Sequence, residues 1–245
     1  MTRELVISKE FTNITLNIDH INSFYARTSL FDAIKLNLHK FNGVLLDVGC
    51  GIMPYKEIIL EAKKVRSYIG LDFEEVIYPE YELGKPDLFW TGETIPLEDN
   101  SVDTILATEY FEHCPHPERI MKDMLRVLRP GGILFFTVPF LWNLHIVPYD
   151  EYRYTPFSLK RHLSNANFTN IELSALGGTD ASLAQMMGIW LKESTMGYKY
   201  KKLLSMLFIP IMKRLIKRDT KVNKEDLFRD GVMITGISGT AYKSV

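Results

Sequence analysis

The sequence contains few cysteines and no excess of charge of either sign. Its 245 residues include two cysteines, Cys50 and Cys114, which are too few for a disulfide framework and fit a reducing, cytoplasmic compartment. The 29 Lys and Arg residues are balanced by 30 Asp and Glu residues, which gives a net charge of -1. This balance offers no electrostatic argument for a nucleic-acid partner, and we expect none. Fifteen glycines and eleven prolines exclude collagen-like and low-complexity chains.

Long hydrophobic segments are also missing. Residues 1–10 carry scattered charges and lack the apolar centre of an export signal. The longest apolar run, 203–212, contains Ser205 and Pro210 and is shorter than the ~20 residues that cross a bilayer. No group of His, Cys and carboxylate residues has the sequence spacing of metal ligands, so we expect no metal. The length is enough for one sizeable core, and a single domain is predicted.

Apolar strands alternate with helical segments along the first 140 residues. This pattern is typical of a parallel sheet with helices on both faces, in a doubly wound α/β arrangement. The ligand site of such a sheet lies beyond the carboxyl ends of its strands. We predict strands at 43–48, 67–71, 86–90, 102–107, 133–138, 168–176 and 231–242, and helices at 21–38, 54–64, 117–128, 156–166 and in parts of 181–218.

The first predicted strand ends in a glycine turn next to an acid. Gly49 and Gly51 allow a tight bend against which a ligand can lie, and Asp47 adds a carboxylate there. Asp72 ends the next strand, 25 residues after Asp47, where a carboxylate can hold ribose hydroxyls. Pro54 stands where a dinucleotide-binding turn has its third glycine, and Asp47 would repel a pyrophosphate but attract an ammonium group. The turn therefore favours S-adenosylmethionine, and a nicotinamide-dependent oxidoreductase is the alternative.

Over residues 43–140 the chain resembles class I S-adenosylmethionine-dependent methyltransferases. The segments that carry the resemblance are Leu45–Gly51, Tyr68–Asp72, Ile95–Asp103, Thr108–His113 and Val127–Gly132. The resemblance implies a doubly wound seven-stranded sheet of order 3-2-1-4-5-7-6, with strand 7 antiparallel and a helical insertion between strands 6 and 7. The single domain then divides into a helical cap (1–42), a Rossmann-like core (43–178), the insertion (179–230) and a last strand (231–245).

The resemblance also implies which residues bind the cofactor. Asp47, Gly49 and Gly51 would line its methionine half, with Cys50 packed between the glycines. The remaining predicted contacts are Asp72 and Phe73 at the ribose, Thr91 and Gly92 at the adenine, Thr108 at the amino-acid end, and Tyr25 closing over the site. Met53 and Thr91 depart from the pattern, since many relatives have a third glycine and an aspartate at these positions.

A narrower resemblance concerns the methyl acceptor. Gly49–Tyr55, Val138–Phe140, His145 and Asp150–Thr155 are similar to a bacterial group of methyltransferases often encoded beside glycosyltransferases for surface polysaccharides. This resemblance implies O-methylation of a sugar hydroxyl in a glycan or glycan precursor. Another small-molecule or lipid acceptor, or an inactive cofactor-binding scaffold, is the alternative.

Histidines near the strand ends are the candidate catalytic residues. A hydroxyl acceptor must lose a proton, and histidine suits that task at neutral pH. We rank His145 first, with Asp150 to orient it, and His113 second. A structural role for either histidine, or catalysis by proximity alone, is the alternative. Tyr152 and Arg153 are predicted with Asp150 to contact the acceptor, and an Asp150–Arg153 surface ion pair is the alternative interpretation.

The segment 199–218 has seven basic residues and no acidic ones. Such a segment can lie on an anionic membrane surface, here the inner face of the membrane. A helix packed on the domain with basic ends, or a dimer contact, is the favoured interpretation, because Pro210 interrupts the amphipathic pattern.

Overall fold

A computed structural model describes residues 2–73, 84–222 and 224–245 of the chain. Its seven strands are β1 (Gly43–Val48), β2 (Val65–Phe73), β3 (Leu88–Trp90), β4 (Val102–Thr108), β5 (Leu128–Pro139), β6 (Thr169–Ala175) and β7 (Gly236–Tyr242). They form one sheet of order β3-β2-β1-β4-β5-β7-β6, in which β7 runs antiparallel to β5 and β6. The predicted sheet order and the antiparallel last strand are confirmed.

Seven α-helices surround this sheet among the described residues. They are α1 (Arg3–Ile7), α2 (Phe24–Asn37), α3 (Lys56–Glu61), α4 (Pro117–Val127), α5 (Pro156–Asn165), α6 (Thr179–Glu193) and α7 (Tyr198–Asp219). α6 and α7 follow β6 and precede β7, so the helical insertion lies where it was predicted. None of the described helices combines the length and the apolar character that a bilayer crossing requires.

Successive residues of the central strands pack alternately into two separate hydrophobic cores. Leu45 of β1 and Phe135 of β5 pack in the core on the side of α2 and α3. Their neighbours Leu46 and Phe136 pack in the core on the side of α4 and α5. Because side chains alternate across a strand, a sheet covered on both faces needs apolar residues at consecutive positions. This requirement explains why continuous apolar runs in the sequence predicted these strands.

Several predicted boundaries are wrong. The helix predicted at 54–64 spans only Lys56–Glu61, and β5 begins at Leu128, so it includes the Pro-Gly-Gly segment predicted to precede it. The last strand begins at Gly236 and not at residue 231. Thr235 donates its N–H to the carbonyl of Gly177 and accepts from the N–H groups of residues 140 and 141, so its backbone groups bond to loops.

The segment 181–218 forms two helices with a break at 194–197, and α7 continues through Pro210. α7 packs one apolar face, with Leu204, Phe208 and Met212, against α6 and Ile21. This packing stabilises the helix although proline donates no backbone hydrogen bond. The interpretation as a packed helix is confirmed, and the argument from Pro210 is wrong.

Candidate functional site

The glycine turn after β1 is held by the neighbouring strand. Both Gly49 and Cys50 donate their N–H groups to the carbonyl of Leu71 in β2, at 2.9 and 3.2 Å. Gly49 has φ +71° and Gly51 has φ +50°, in the left-handed region that favours glycine. A Cβ on Gly49 would lie 2.7 Å from the ring of Tyr110. The chain therefore needs glycine here to bring β1 and the end of β4 together.

Asp72 lies at the mouth of this turn, as predicted. One carboxylate oxygen accepts from the N–H of Gly51 at 2.7 Å, and the other accepts from the N–H of Phe73 at 2.8 Å. A carboxylate oxygen can accept more than one hydrogen bond, so both oxygens keep a lone pair. The side chain is thus fixed in orientation and still able to accept two ribose hydroxyls.

Asp47 is buried beneath the turn with one oxygen unpaired. Its Oδ2 accepts from the Tyr68 hydroxyl at 2.5 Å, and its Oδ1 has no hydrogen-bond partner. Burial raises the pKa of the Asp47 carboxyl to about 7, although the hydrogen bond from Tyr68 acts in the opposite direction. The charge of Asp72 raises the pKa further. A cationic amino group at Oδ1 would supply the missing partner and favour the carboxylate.

Three aromatic rings lie beside the turn. Phe73 is 5.8 Å from Trp90 and 6.3 Å from Tyr110, measured between ring centroids. The Tyr110 hydroxyl and the Trp90 indole N–H are buried without partners. Gly92 has φ +84°, and a Cβ there would lie 2.6 Å from Phe73. Flat apolar surfaces with unpaired polar atoms suit a nucleoside, so these residues fit the predicted cofactor.

Other predicted cofactor residues are placed less directly. Thr91 is exposed and Thr108 is half-buried at the end of β4. Cys50 is buried, which raises the pKa of its thiol, as expected for a packing residue. Tyr25 is also buried, and its hydroxyl donates to the carbonyl of Leu176 at 3.1 Å. Tyr25 therefore packs beside Leu176, just after β6, and its predicted closing over the site stays a prediction.

A cavity of about 220 Å³ opens beside the turn. The segment after β4, the loop after β5, α6 and the segment before β7 contribute to its lining, which includes Glu109, His113, His145, Gln185 and Thr235. Glu109 has φ +50°, so the chain turns sharply between β4 and the next residue. Tyr110 faces the glycine turn and Glu109 faces the cavity, which makes the two regions neighbours.

The two candidate histidines meet at this cavity. Their rings lie 4.8 Å apart at an angle of 72°. The Nδ1 of His113 is 2.9 Å from the carbonyl oxygen of Tyr149, and burial lowers the pKa of His113. The Nδ1 of His145 is 3.2 Å from Oδ2 of Asp150, so the predicted orienting acid is adjacent. Both histidines predicted from the sequence therefore lie in one place.

Sequence spacing did not reveal Glu112. Its carboxylate is fully buried, neither oxygen has a hydrogen-bond partner, and burial raises its pKa well above the usual value. Glu112, His113 and His145 offer ligand atoms that all lie within 4.8 Å of one another. The fold therefore brings together a possible ligand set that sequence spacing did not indicate, because it joins residues on either side of β5, and the expectation of no metal stays a prediction.

Asp150 and Arg153 form a two-pronged ion pair, with distances of 2.6 and 2.7 Å. Burial opposes ionisation of Asp150, but the hydrogen bonds from Arg153 lower its pKa to about 2. Arg153 also donates to the carbonyls of Asn143 and Tyr152. The structure thus contains the Asp150–Arg153 ion pair that was the alternative to contact with the acceptor, although this pair is partly buried and does not lie on the surface. The Tyr152 ring stacks on Tyr154 at 5.1 Å.

Fold and site together define a Rossmann-like domain with a crevice for a nucleoside that carries a cationic amino-acid part. Residues 46–136 match the family described as methyltransferase domain. Over residues 46–136 the chain therefore matches a methyltransferase domain, and the predicted class of S-adenosylmethionine-dependent methyltransferase is confirmed for this part of the chain.

One sequence relative is a methyltransferase, and two solved structures share the fold. The chain is 33% identical over 127 residues to the phthiotriol/phenolphthiotriol dimycocerosates methyltransferase 1 of Mycobacterium ulcerans, covering 49% of this chain and 44% of that protein. A possible histamine N-methyltransferase from Thermotoga maritima superposes with a TM-score of 0.54 and 14% identity over 94% of this chain and 93% of that one. The phosphoethanolamine N-methyltransferase 2 of Haemonchus contortus, in complex with S-adenosyl-L-methionine, has a TM-score of 0.53 and 11% identity, covering 100% of this chain and 60% of that one. The chain spans less than half the length of the curated relatives it matches.

Proposed function

We propose that this chain transfers the methyl group of S-adenosylmethionine to a hydroxyl of a sugar in a glycan or glycan precursor. Asp47 would bind the cofactor's amino group and Asp72 its ribose. The methyl acceptor would enter the cavity beside the turn. The cofactor supplies the electrophilic methyl, so the protein has to align the acceptor oxygen with it and help its proton to leave.

Unpaired polar atoms in the cavity carry the proposal of a sugar. Glu109 Oε1, Gln185 Oε1 and Thr235 Oγ1 are buried, have no hydrogen-bond partner and belong to residues that line this one cavity. Leaving a buried polar atom unpaired costs roughly 1–3 kcal/mol. Several hydroxyls on one small ring can pair with all three atoms, whereas an alkyl chain would leave them unpaired. The cavity therefore favours a sugar over a lipid such as the acceptor named for the mycobacterial relative.

His145 is the residue that we propose to take part in removing the acceptor's proton. Its ring lines the cavity and its Nδ1 faces Asp150, which leaves Nε2 as the free nitrogen. We expect His145→Ala to lower kcat and to leave cofactor affinity unchanged. Unchanged turnover would remove His145 from the mechanism.

Calorimetric titration with S-adenosylhomocysteine tests cofactor binding. Release of S-adenosylhomocysteine from S-adenosylmethionine, measured with panels of sugars, sugar nucleotides and fatty alcohols, then tests the acceptor. We expect turnover with sugars, and an increase of at least ~10-fold in KM for Thr235→Val, whose hydroxyl lies in the cavity. Thr220→Val, at the far end of α7, is the matched control and should behave as the wild type. Turnover with alcohols alone would contradict the sugar, and cofactor binding without turnover on any acceptor would indicate a scaffold.

We also propose that the exposed face of α7 contacts the inner surface of the membrane. Leu203, Met206, Leu207 and Ile211 are exposed on this helix, between basic residues at both ends. An apolar face flanked by lysines and arginines suits anionic lipid headgroups. Sedimentation with vesicles should show binding that requires anionic lipid and is lost in Leu207→Glu. A dimer in light scattering that the same variant dissociates would indicate a contact between two chains instead.

A further inference from the structure

Glu112, His113 and His145 form a compact group at the wall of the cavity. One carboxylate and two imidazoles offer ligand atoms within 4.8 Å of one another. Two histidines and one carboxylate are a recurrent ligand set for zinc and for other divalent first-row ions. Three protein ligands leave positions open for water or substrate.

The carboxylate of Glu112 lacks the partners that a buried charge requires. Its side chain is inaccessible to solvent, both oxygens are unpaired, and Oε1 lies 3.8 Å from Nε2 of His113. Glu109, three residues earlier, has a buried and unpaired Oε1 of its own. Buried charges in proteins are paired or bind metals. A cation bound to Glu112 would supply the partner that its carboxylate lacks.

Each histidine has an oxygen beside its Nδ1, although only His113 makes a hydrogen bond there. A ligating imidazole typically donates its second ring N–H to a carbonyl or a carboxylate, which fixes its tautomer and orientation. The Nδ1 of His113 is 2.9 Å from the carbonyl oxygen of Tyr149, and the Nδ1 of His145 is 3.2 Å from a carboxylate oxygen of Asp150. Each histidine thus keeps Nε2 for an ion.

The loop that supplies these outer contacts is itself fixed to Glu112. The backbone N–H groups of Glu151 and Tyr152 donate to the Glu112 carbonyl at 2.8 and 3.1 Å. The Asp150–Arg153 ion pair holds the same loop from the other side. The three candidate ligands and their supporting groups therefore form one connected unit, of the kind that keeps a metal site in shape before the ion arrives.

We propose that Glu112, His113 and His145 bind a divalent transition-metal ion whose open coordination position faces the cavity. The role of this ion in catalysis rests on the proposed function, whereas its binding does not. An ion there would bind the acceptor oxygen and lower the pKa of its hydroxyl. His145 would then be a ligand and not the base itself.

Metal binding is measured on the full chain after removal of metals with a chelator. Calorimetric titrations with Zn²⁺, Mn²⁺ and Mg²⁺ are each expected to be fitted by at most one ion per chain, with affinity falling in that order. We expect His113→Ala and Glu112→Gln to weaken Zn²⁺ binding at least ~100-fold. His116→Ala, an exposed histidine three residues from His113, is the matched control and should bind as the wild type.

Circular dichroism and thermal unfolding check that each variant folds. If Glu112→Gln, at a buried position, does not fold, the Zn²⁺ affinity of His113→Ala decides the test. No binding of any of the three ions, or equal Zn²⁺ affinity in the wild type and in His113→Ala, would overturn the metal site. S-adenosylhomocysteine binding is measured on the same samples. Zn²⁺ binding without cofactor binding would contradict the proposed function and leave the metal site intact. Cofactor binding without Zn²⁺ binding would contradict the metal site and leave the proposed function intact.

Discussion

Cofactor affinity should depend on pH through Asp47. The cofactor's amino group is positive below a pH of about 8, and its proposed partner is the unpaired Oδ1 of this buried carboxyl. Burial raises the pKa of Asp47 to about 7, so the carboxyl is largely protonated in mildly acidic solution. Each unit below that pKa should weaken binding tenfold, or about 1.4 kcal/mol. Between pH values of about 7.5 and 5.5 the loss should reach roughly 20-fold.

The hydrogen bond from Tyr68 provides a second way to change the pKa of Asp47. It lowers the pKa of Asp47, so its removal in Tyr68→Phe should raise that pKa and shift the pH midpoint of binding upwards. Asp47→Asn cannot ionise and should bind weakly with no pH dependence in this range. Tyr198→Phe, at an exposed tyrosine, should leave the midpoint unchanged.

The assay is calorimetric titration of S-adenosylhomocysteine in half-unit steps of pH, at constant ionic strength. Circular dichroism at each pH confirms that the chain stays folded. A dissociation constant that is flat across this range in the wild type would refute the assignment of Asp47 to the amino group. The same conclusion would follow if Asp47→Asn bound as tightly as the wild type.

Three further predictions concern stability. The first concerns Asp47, whose pKa is raised on folding, so that its contribution to the stability of the fold is complete below the unfolded pKa of 3.8 and is lost as pH rises through about 7. Asp47→Asn should therefore stabilise the cofactor-free chain at pH values near 8 by up to about 4 kcal/mol, measured by thermal unfolding. Gly49→Ala should lower the free energy of unfolding in urea by about 2 kcal/mol, since φ is +71° and the Tyr110 ring fills the Cβ position. Gly51→Ala should lower it by about 1 kcal/mol, because nothing lies within 4 Å of a Cβ there, and equal losses would contradict the contact with Tyr110. Arg153→Ala removes the guanidinium partner of the partly buried Asp150 carboxylate and should cost about 2 kcal/mol. Arg153→Lys should rescue this loss only in part, and full rescue would show that the two-pronged geometry is unimportant.

The sheet and the cofactor crevice could be predicted from the sequence because their signals are local. A parallel strand buried on both faces is a continuous apolar run, and the turn after β1 needs glycine next to Asp47. Asp72 follows from its place at the end of the next strand. Each of these inferences uses residues that are near one another in the chain.

The acceptor side could not be predicted in the same way, since it is assembled from distant segments. His113 and His145 flank β5, and only the folded chain brings their rings within 4.8 Å. Glu112 belongs to the segment Thr108–His113 that carries the resemblance, but nothing in the sequence indicates that its carboxyl is buried without a hydrogen-bond partner. The hydrogen bond from the Tyr25 hydroxyl to the carbonyl of Leu176 likewise joins residues that are far apart in the chain. The start of β7 was misplaced because Thr235 bonds to loops.

The cofactor turn and the acceptor cavity depend on different parts of the chain. β1 and β2 fix the turn through hydrogen bonds between their own residues, such as Gly51 with Asp72. The loop containing Tyr149 and Asp150 fixes the histidines, and its ion pair with Arg153 lies within four residues. Changes in this loop should therefore alter acceptor or metal binding and leave cofactor affinity intact. A chain built in this way can acquire a new acceptor without rebuilding its cofactor site, because different hydrogen bonds hold the turn and the cavity and the two regions meet at Glu109 and Tyr110.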